Sequence, residues 1–286
     1  MTRRRGSVFL LTDYGGADEF AGVVRAVVAR HAPGAPVVDL SHQVSPFDVR
    51  AGALALERAA PYLGRGVVLA VVDPGVGTAR RGIAVAARSK DGPRHFVGPD
   101  NGLLNWALDA LGGAARAVAL PPPTRIGSPG PAPTDGSSTF HGRDLFAPVA
   151  ARLWRGAALD RVGTPVDPGG LTQLVRPHLA VVTGALESEV QWVDRFGNAQ
   201  LSARPGDVVA ARLGHGLDVT IGPAVHSADL VSAFGELADG AFGIVTDANG
   251  HLSLVVNRGS AATRLGLEVG DVVVLRPRAS STSSPP

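Results

Sequence analysis

The sequence predicts an α/β N-terminal domain with a mainly parallel central sheet, followed by a small all-β, barrel-like C-terminal domain. Three observations carry this reading. Up to about residue 155, apolar runs alternate with helix-period patterns, as in strand–helix–strand units. From Leu179 onward, short apolar runs are separated by Gly and Asn/Asp turns. Between the two textures, Thr164–Arg176 is rich in proline and glycine, the composition of a boundary. The expected division is 1–177 and 178–278, with 279–286 as a disordered tail.

In the first domain, Ser7–Leu11 reads as a strand and Asp18 to His31 as a helix. Pro36–Leu40 is a second strand. Ser45-Pro46-Phe47-Asp48 then carries helix-start chemistry, with Ser45 as cap, Pro46 in the first helical position and Asp48 completing a capping box. The helix behind it presents Val49, Leu54, Leu56 and Ala60. Val67–Val72 is wholly apolar, as a strand buried on both faces should be. Ile83–Ala87 and His95–Val97 are further strands, Leu103–Leu111 a helix and Ala117–Leu120 a strand. Pro121–Ser138 is a long Pro/Gly/Ser-rich loop, either a lid or an insertion, and Gly142–Arg155 is a helix.

In the second domain the expected strands are Leu179–Thr183, Glu189–Val193, Val208–Arg212, Leu217–Ile221, Phe242–Thr246, Leu252–Val256 and Val272–Leu275. Asp247-Ala248-Asn249-Gly250 suits a hairpin turn.

Composition limits function. Of 286 residues, 45% are hydrophobic and none is cysteine, which excludes a disulfide scaffold, a thiolate zinc site, an iron–sulfur cluster and a cysteine nucleophile. The net charge is +2, and Lys90 is the only lysine. Arginines therefore set the pI near 9.6. They are scattered rather than gathered with aromatics, so no nucleic acid partner is expected. No apolar stretch reaches the roughly 18 residues a bilayer span requires, and Ser7–Leu11 is too short for a secretory signal. The expectation is a cytoplasmic protein with no membrane partner.

Open parallel sheets bind ligands at the carboxyl ends of their strands. Asp13 and Asp73 both stand at such ends, although aspartate there is also a common turn former. Asp13 opens Asp13-Tyr14-Gly15-Gly16-Ala17-Asp18, in which Asp18 can cap the next helix. Asp73 opens Asp73-Pro74-Gly75-Val76-Gly77-Thr78-Ala79-Arg80. His141 lies at a loop–helix junction in Phe140-His141-Gly142-Arg143-Asp144. Gly98-Pro99-Asp100-Asn101-Gly102 and Asp194-Arg195-Phe196-Gly197-Asn198 fit tight turns as well as sites. No P-loop, dinucleotide fingerprint or HExxH zinc motif is present. The scatter of Asp13, Asp18, Asp73 and His141 does not suggest a metal site.

These segments, together with Thr12-Asp13-Tyr14-Gly15, Val37-Val38-Asp39-Leu40-Ser41-His42 and Asn257-Arg258-Gly259-Ser260-Ala261-Ala262, occur in one order from about Val8 to Leu275. The set resembles the S-adenosyl-L-methionine (SAM) hydroxide adenosyltransferases, relatives of the SAM-dependent fluorinase and chlorinase. The resemblance implies an α/β domain joined to a β-barrel. It also implies a homotrimer binding SAM between the N-terminal domain of one subunit and the C-terminal domain of its neighbour. The implied reaction converts SAM and water to adenosine and L-methionine, with SAM as substrate and no cofactor. Halide-dependent adenosyl transfer and a non-catalytic adenosine- or SAM-binding module are the alternatives.

Halogenases carry tyrosine where Asp73 stands, and the fluorinase has serine where Gly142 stands. The fluorinase also has an insertion between the segments marked here by Arg81 and Phe96. Asp73, Arg80 and His141 match the hydroxide branch. By resemblance, Asp73 would orient and deprotonate water, Arg80 would hold Asp73, and His141 would assist or be the base itself. A halide arrives already anionic, whereas water, with a pKa near 15.7, needs a base. Asp13 would grip the ribose hydroxyls, with Phe47 near the ribose. Asp18 and Asp194 would bind the methionine end. Phe196 would stack on adenine, Asn198 would hydrogen-bond it, and Arg258 would contact it through its backbone. Phe234 is a second stacking candidate. Two departures stand out: Ala248-Asn249 replaces the fluorinase's Ser-Arg pair at the methionine carboxylate, leaving Asn249 as donor, and Phe20 replaces a serine.

Overall fold

The computed structural model describes residues 6–88, 94–122 and 139–278. From residue 123 the proline-rich loop lies outside the described residues, as does the tail from 279 to 286. Contacts divide the chain into two units, Met1–Leu174 and Val175–Pro286.

In chain order the first unit contains β1 (Ser7–Thr12), α1 (Phe20–His31), β2 (Val37–Ser41), α2 (Val49–Ala59), β3 (Gly66–Val71), β4 (Gly82–Ala87), β5 (Arg94–Pro99), α3 (Asn105–Ala110), β6 (Ala114–Ala119), α4 (Ala147–Trp154) and β7 (Thr164–Val166). Among the described residues its strands form one seven-stranded sheet in the order β2-β1-β3-β5-β4-β6-β7. The sheet is mixed, which corrects the expectation of a mainly parallel one. The pairs β1–β2, β1–β3 and β3–β5 are parallel, whereas β4–β5, β4–β6 and β6–β7 are antiparallel. Connection length is the reason: only residues 88–93 separate β4 from β5, and a parallel crossover needs a dozen or more.

Every residue of β3 is buried, as its apolar run requires. Val8, Leu10, Val67, Leu69, Val71 and Val97 form one core cluster with Val24 and Val28 of α1 and Val149 of α4. Phe9, Leu11, Val68 and Ala70, alternating with these along the strands, are buried as well. Thr12 pairs in register with Val71, so the chain segments beginning at Asp13 and Val72 leave the sheet side by side.

Three helix starts differ from expectation. α2 begins at Val49, and its cap is Asp48, whose side chain accepts from Ala51 N. Phe47 has a positive φ of 69°, so neither Ser45 nor Pro46 starts the helix. α1 begins at Phe20 without a side-chain cap, so Asp18 does not serve as one. The segment expected as one helix from Gly142 opens with a π-turn over Gly142–Phe146 before α4.

The second unit contains β8 (Leu179–Val182), β9 (Ala185–Val193), β10 (Ala199–Leu201), α5 (Pro205–Ala210), β11 (Gly216–Ile221), β12 (Ala224–Val231), β13 (Phe242–Thr246), β14 (Leu252–Val256), α6 (Ala261–Leu265) and β15 (Val272–Pro277). β9 pairs first with β8 and then, farther along, with β10. That second pairing closes the strands from β9 to β15 into a seven-stranded barrel, with β8 as an added strand. Leu186, Val190, Leu201, Leu217, Val219, Ile244, Leu254, Val273 and Leu275 fill its core. The turn at Asp247–Gly250 joins antiparallel β13 and β14.

Val208–Arg212 is not a strand. Pro205 starts α5, Asp207 Oδ2 accepts from Arg204 N at 2.7 Å, and the following valines split between buried Val208 and 76% exposed Val209. A short amphipathic helix explains that split. β12, whose outward residues include polar Ser227 and Asp229, gave no apolar run and was not expected. No described helix is long and apolar enough to cross a membrane.

Asp48→Ala is expected to lower stability by about 1 kcal/mol, the usual cost of losing an N-cap. Ser45→Ala should change it by less than about 0.5 kcal/mol. Urea unfolding of both variants separates the two caps.

Candidate active site

Asp73 follows β3 directly. Hydrogen bonds from Val76 N to Asp73 O (3.3 Å) and from Thr78 N to Gly75 O (3.2 Å) fold the next residues tightly and return Arg80 to the carboxylate. Arg80 donates from Nε to Asp73 Oδ1 at 2.9 Å and from Nη2 to Asp73 Oδ2. The pair is buried, with side chains 9% and 5% exposed for Arg80 and Asp73. Nη2 also lies 2.9 Å from His141 Nδ1. The Arg80 guanidinium stands 5.4 Å over the Phe146 ring, and the His141 ring meets the same Phe146 edge-to-face. One arginine thus holds both other members of the predicted trio.

Burial raises the Asp73 pKa above the ordinary carboxylate range, and the ion pair with Arg80 only partly offsets this. Burial and then the Arg80 charge lower that of His141, so its ring is neutral at pH 7. Arg80 can only donate, so Nδ1 accepts, and the neutral ring carries its proton on Nε2.

Asp13 is near this cluster in sequence register but serves a second element. Its Oδ2 accepts from Phe47 N at 3.0 Å. Phe47, with its positive φ, leaves its ring 70% exposed. Such a conformation is costly for a bulky residue and persists because its surroundings hold it. Beside Asp13, Tyr14 packs against Phe20 (5.9 Å between centroids) and Phe140 (5.7 Å), and these two rings meet at 5.2 Å. A Cβ built on Gly142 would lie 2.2 Å from Tyr14 Oη, so a side chain there would have to displace the tyrosine. Burial, then the charges of Asp13 and Asp73, raise the Tyr14 pKa and keep its hydroxyl protonated. Sequence reasoning gave no role to Tyr14 or Phe140. Their place in two of the quoted motifs was the available signal. Asp18 is exposed, two residues before Phe20.

The neighbouring motifs support rather than line this cluster. Asn101 Nδ2 donates to Val72 O at 2.8 Å, just before Asp73. Asp100 accepts from Arg81 and from Thr172 N. Among the described residues no three His, Asp or Glu gather as metal ligands.

The second unit carries the remaining predicted residues. Asp194 Oδ1 accepts from Phe196 N and Asn198 N, at 2.8 and 2.9 Å, and its Oδ2 accepts from Asn198 Nδ2 at 2.8 Å. The carboxylate therefore builds its own turn, holds Phe196 70% exposed and orients the Asn198 amide. Gly197, at φ 81°, packs so tightly on Ser260 that a Cβ would lie 2.0 Å from its Oγ. This brings the turn against the segment of Arg258, which pairs with Asp239 at 2.9 Å. Asn249 sits in the 247–250 turn, its N–H donating to Asp247 Oδ1 at 2.8 Å. Phe234 starts a short helical turn and is 43% exposed.

The sequence matches the SAM hydroxide adenosyltransferase N-terminal domain over residues 8–163 and the C-terminal domain of the same family over residues 188–274. The chain belongs to the SAM hydroxide adenosyltransferase family. It is 46% identical over 260 residues to an (R)-S-adenosyl-L-methionine hydrolase of Salinispora tropica, covering 91% of this chain and 94% of that protein. It is 43% identical to a Thermus thermophilus protein of the same name, over 92% and 96% of the two chains. A solved structure of an uncharacterized conserved protein from Thermotoga maritima is similar at a TM-score of 0.83 and 33% identity, covering 94% of this chain and 99% of that one. Family membership places the Asp73–Arg80–His141 cluster in the N-terminal domain of a two-domain adenosyltransferase.

Arg80→Met keeps the stem but strands a buried carboxylate, and should cost about 3–5 kcal/mol at neutral pH. The loss should shrink as pH falls, because protonation neutralises the stranded Asp73. Urea unfolding across pH measures both effects.

Proposed function

We propose that this protein hydrolyses SAM to adenosine and L-methionine, with water attacking ribose C5′. The observation that carries this is the buried Asp73–Arg80–His141 cluster at the end of β3, and family membership supports it. Its relatives are named for the (R) form of SAM, and we extend the same preference to this chain.

Asp73 is the better base. His141 accepts from Arg80 at Nδ1 and carries its proton on Nε2, so in this arrangement neither ring nitrogen is open to a proton. Asp73 accepts two Arg80 hydrogen bonds but keeps lone pairs on both oxygens, and its raised pKa brings it nearer to a useful base. In the step, the water oxygen bonds to C5′ as its proton passes to Asp73. The C5′–S bond breaks, and its electron pair goes to sulfur, leaving neutral methionine thioether. Arg80 keeps Asp73 aimed, and His141 Nε2–H remains a donor. The nucleophile gains negative character while the sulfonium loses its charge, so a buried site favours the crossing. A carboxylate at this position would repel halide.

For the nucleoside, Asp13 has one oxygen tied to Phe47 N, and its other oxygen suits the ribose hydroxyls. In the second unit, Asn198 Oδ1 has no hydrogen-bond partner among the described residues and suits the adenine amine, beside the exposed Phe196 ring. Asp18, Asp194, Asn249 and Arg258 complete the proposed set, the first three toward methionine and Arg258 toward adenine. We further propose a homotrimer with sites between subunits, working in the cytoplasm without a cofactor. Light scattering in solution tests the trimer.

Purified protein given SAM without added halide or metal should form adenosine and methionine in equal amounts, unaffected by a chelator. Chloroadenosine formed only when chloride is added would favour the halide reaction instead. Asp73→Asn should lower kcat by about 10²–10⁴-fold, the usual range for a general base. The active form needs Asp73 ionised, so kcat should fall with decreasing pH through a midpoint above the ordinary aspartate value of about 3.9. A rate still undiminished at about pH 4 would rule Asp73 out as the base.

A further inference from the structure

The motif Val37–His42 has no part in the proposed reaction, yet it ends against the ribose-side turn. Thr12 Oγ1 lies 2.8 Å from His42 Nδ1 and accepts from Tyr14 N at 3.2 Å. The threonine hydroxyl can accept from Tyr14 N and still hydrogen-bond the ring at Nδ1. Nε2 lies 3.1 Å from Asp39 Oδ1, within ion-pair distance but outside hydrogen-bond geometry. Arg25 of α1 holds Asp39 in turn, Nη1 donating to Oδ2 at 2.6 Å. The His42 backbone carbonyl also accepts from Gly15 N at 2.7 Å.

Arg25, Asp39, His42 and Thr12 line up from α1 to the backbone of Tyr14, joined by hydrogen bonds at every step except the close approach of Asp39 to His42. The Asp13-Tyr14-Gly15 turn is therefore gripped at two points just after Asp13. One grip reaches Tyr14 N through the Thr12 hydroxyl, and the other is the bond from Gly15 N to the His42 carbonyl. Beyond His42 the same segment runs on to Phe47, whose N–H is pinned by Asp13 itself. Thr12 is fully buried and the His42 side chain only 14% exposed, so water does not substitute easily for either partner.

We propose that His42 is a positioning residue for the nucleoside: it sets the Asp13–Phe47 clamp on the ribose from behind, through Thr12 and Gly15. The inference rests on the assignment of Asp13 to the ribose. His42 touches no reacting atom, and its effect falls on binding rather than on proton transfer. Misplacing a clamp by a fraction of an ångström weakens substrate and transition state together, which raises KM more than it lowers kcat.

The test compares His42→Ala, His42→Asn and Thr12→Val, with adenosine binding by calorimetry and steady-state kinetics on SAM. His42→Ala should weaken adenosine binding and raise KM about tenfold or more, with kcat within about threefold of the parent. The Asn amide can reach the place of Nδ1, so His42→Asn should recover most of the affinity. Thr12→Val removes the hydroxyl alone and should reproduce the loss. Unchanged adenosine affinity in both His42→Ala and Thr12→Val would overturn the proposal. So would a kcat collapse at unchanged KM. Asp13→Ala separates the two levels. If it leaves adenosine affinity intact, the ribose assignment fails and this inference with it. If it weakens binding while the His42 and Thr12 variants do not, only the inference about His42 fails.

Discussion

A single buried guanidinium organises the candidate active site. Arg80 reaches Asp73 through two nitrogens and His141 through one of them, all within the shelter of Phe146. A lysine could not do this, because a point charge on a flexible stem lacks the planar fork. The arginine fixes the direction of the carboxylate, the tautomer of the histidine and the charge balance of both. Burial outweighs the ion pair and leaves the carboxylate more basic than usual. The π-turn at Gly142–Phe146 belongs to the same arrangement, because it presents His141 and Phe146 to one guanidinium.

In each unit, the groups proposed to face the substrate are held rather than free. Asp13 spends one oxygen on the left-handed Phe47, and Asp194 spends both on the turn of Phe196 and Asn198. Two rings that ordinary packing would bury stay exposed because carboxylates hold the backbone beneath them. Exposed large aromatics held in this way are costly to maintain and suit stacking on a flat apolar ligand. Gly142 completes the pattern, its missing Cβ giving room to the Tyr14 hydroxyl. Preorganisation of this kind lowers the ordering cost of binding.

Much of this was legible from residue patterns. The apolar run at Val67–Val72 and the acid after it placed Asp73 at a strand end. The spacing to Arg80 was visible as well. The errors have particular causes. Val208–Arg212 looked like a strand because two valines adjoin, yet Pro205 and Asp207 cap a helix whose single apolar stripe takes only Val208. Ser45 and Pro46 looked like a helix start, but Asp13 captures Phe47 N from a remote strand and delays the helix to Val49. The mixed sheet escaped notice because alternation along the chain reports which segments are strands, not their direction. The short β4–β5 link carried that information.

By itself, the sequence determined most of the strands, the burial of β3 and the family of the chain, and it singled out the acid, the arginine and the histidine. Those follow from local chemistry: apolar runs, turn residues and motif order are written along the chain. Only the tertiary structure decided that Arg80 Nη2 is shared, that Asp194 closes its own turn, that Gly142 yields to Tyr14 and that His42 stands behind Thr12. Each is a contact between a hydrogen-bonding or steric group and a partner chosen by folding, across separations of 61 residues for Arg80–His141 and 30 for Thr12–His42. A donor can be read in a sequence, but its acceptor exists only once the chain has closed around it.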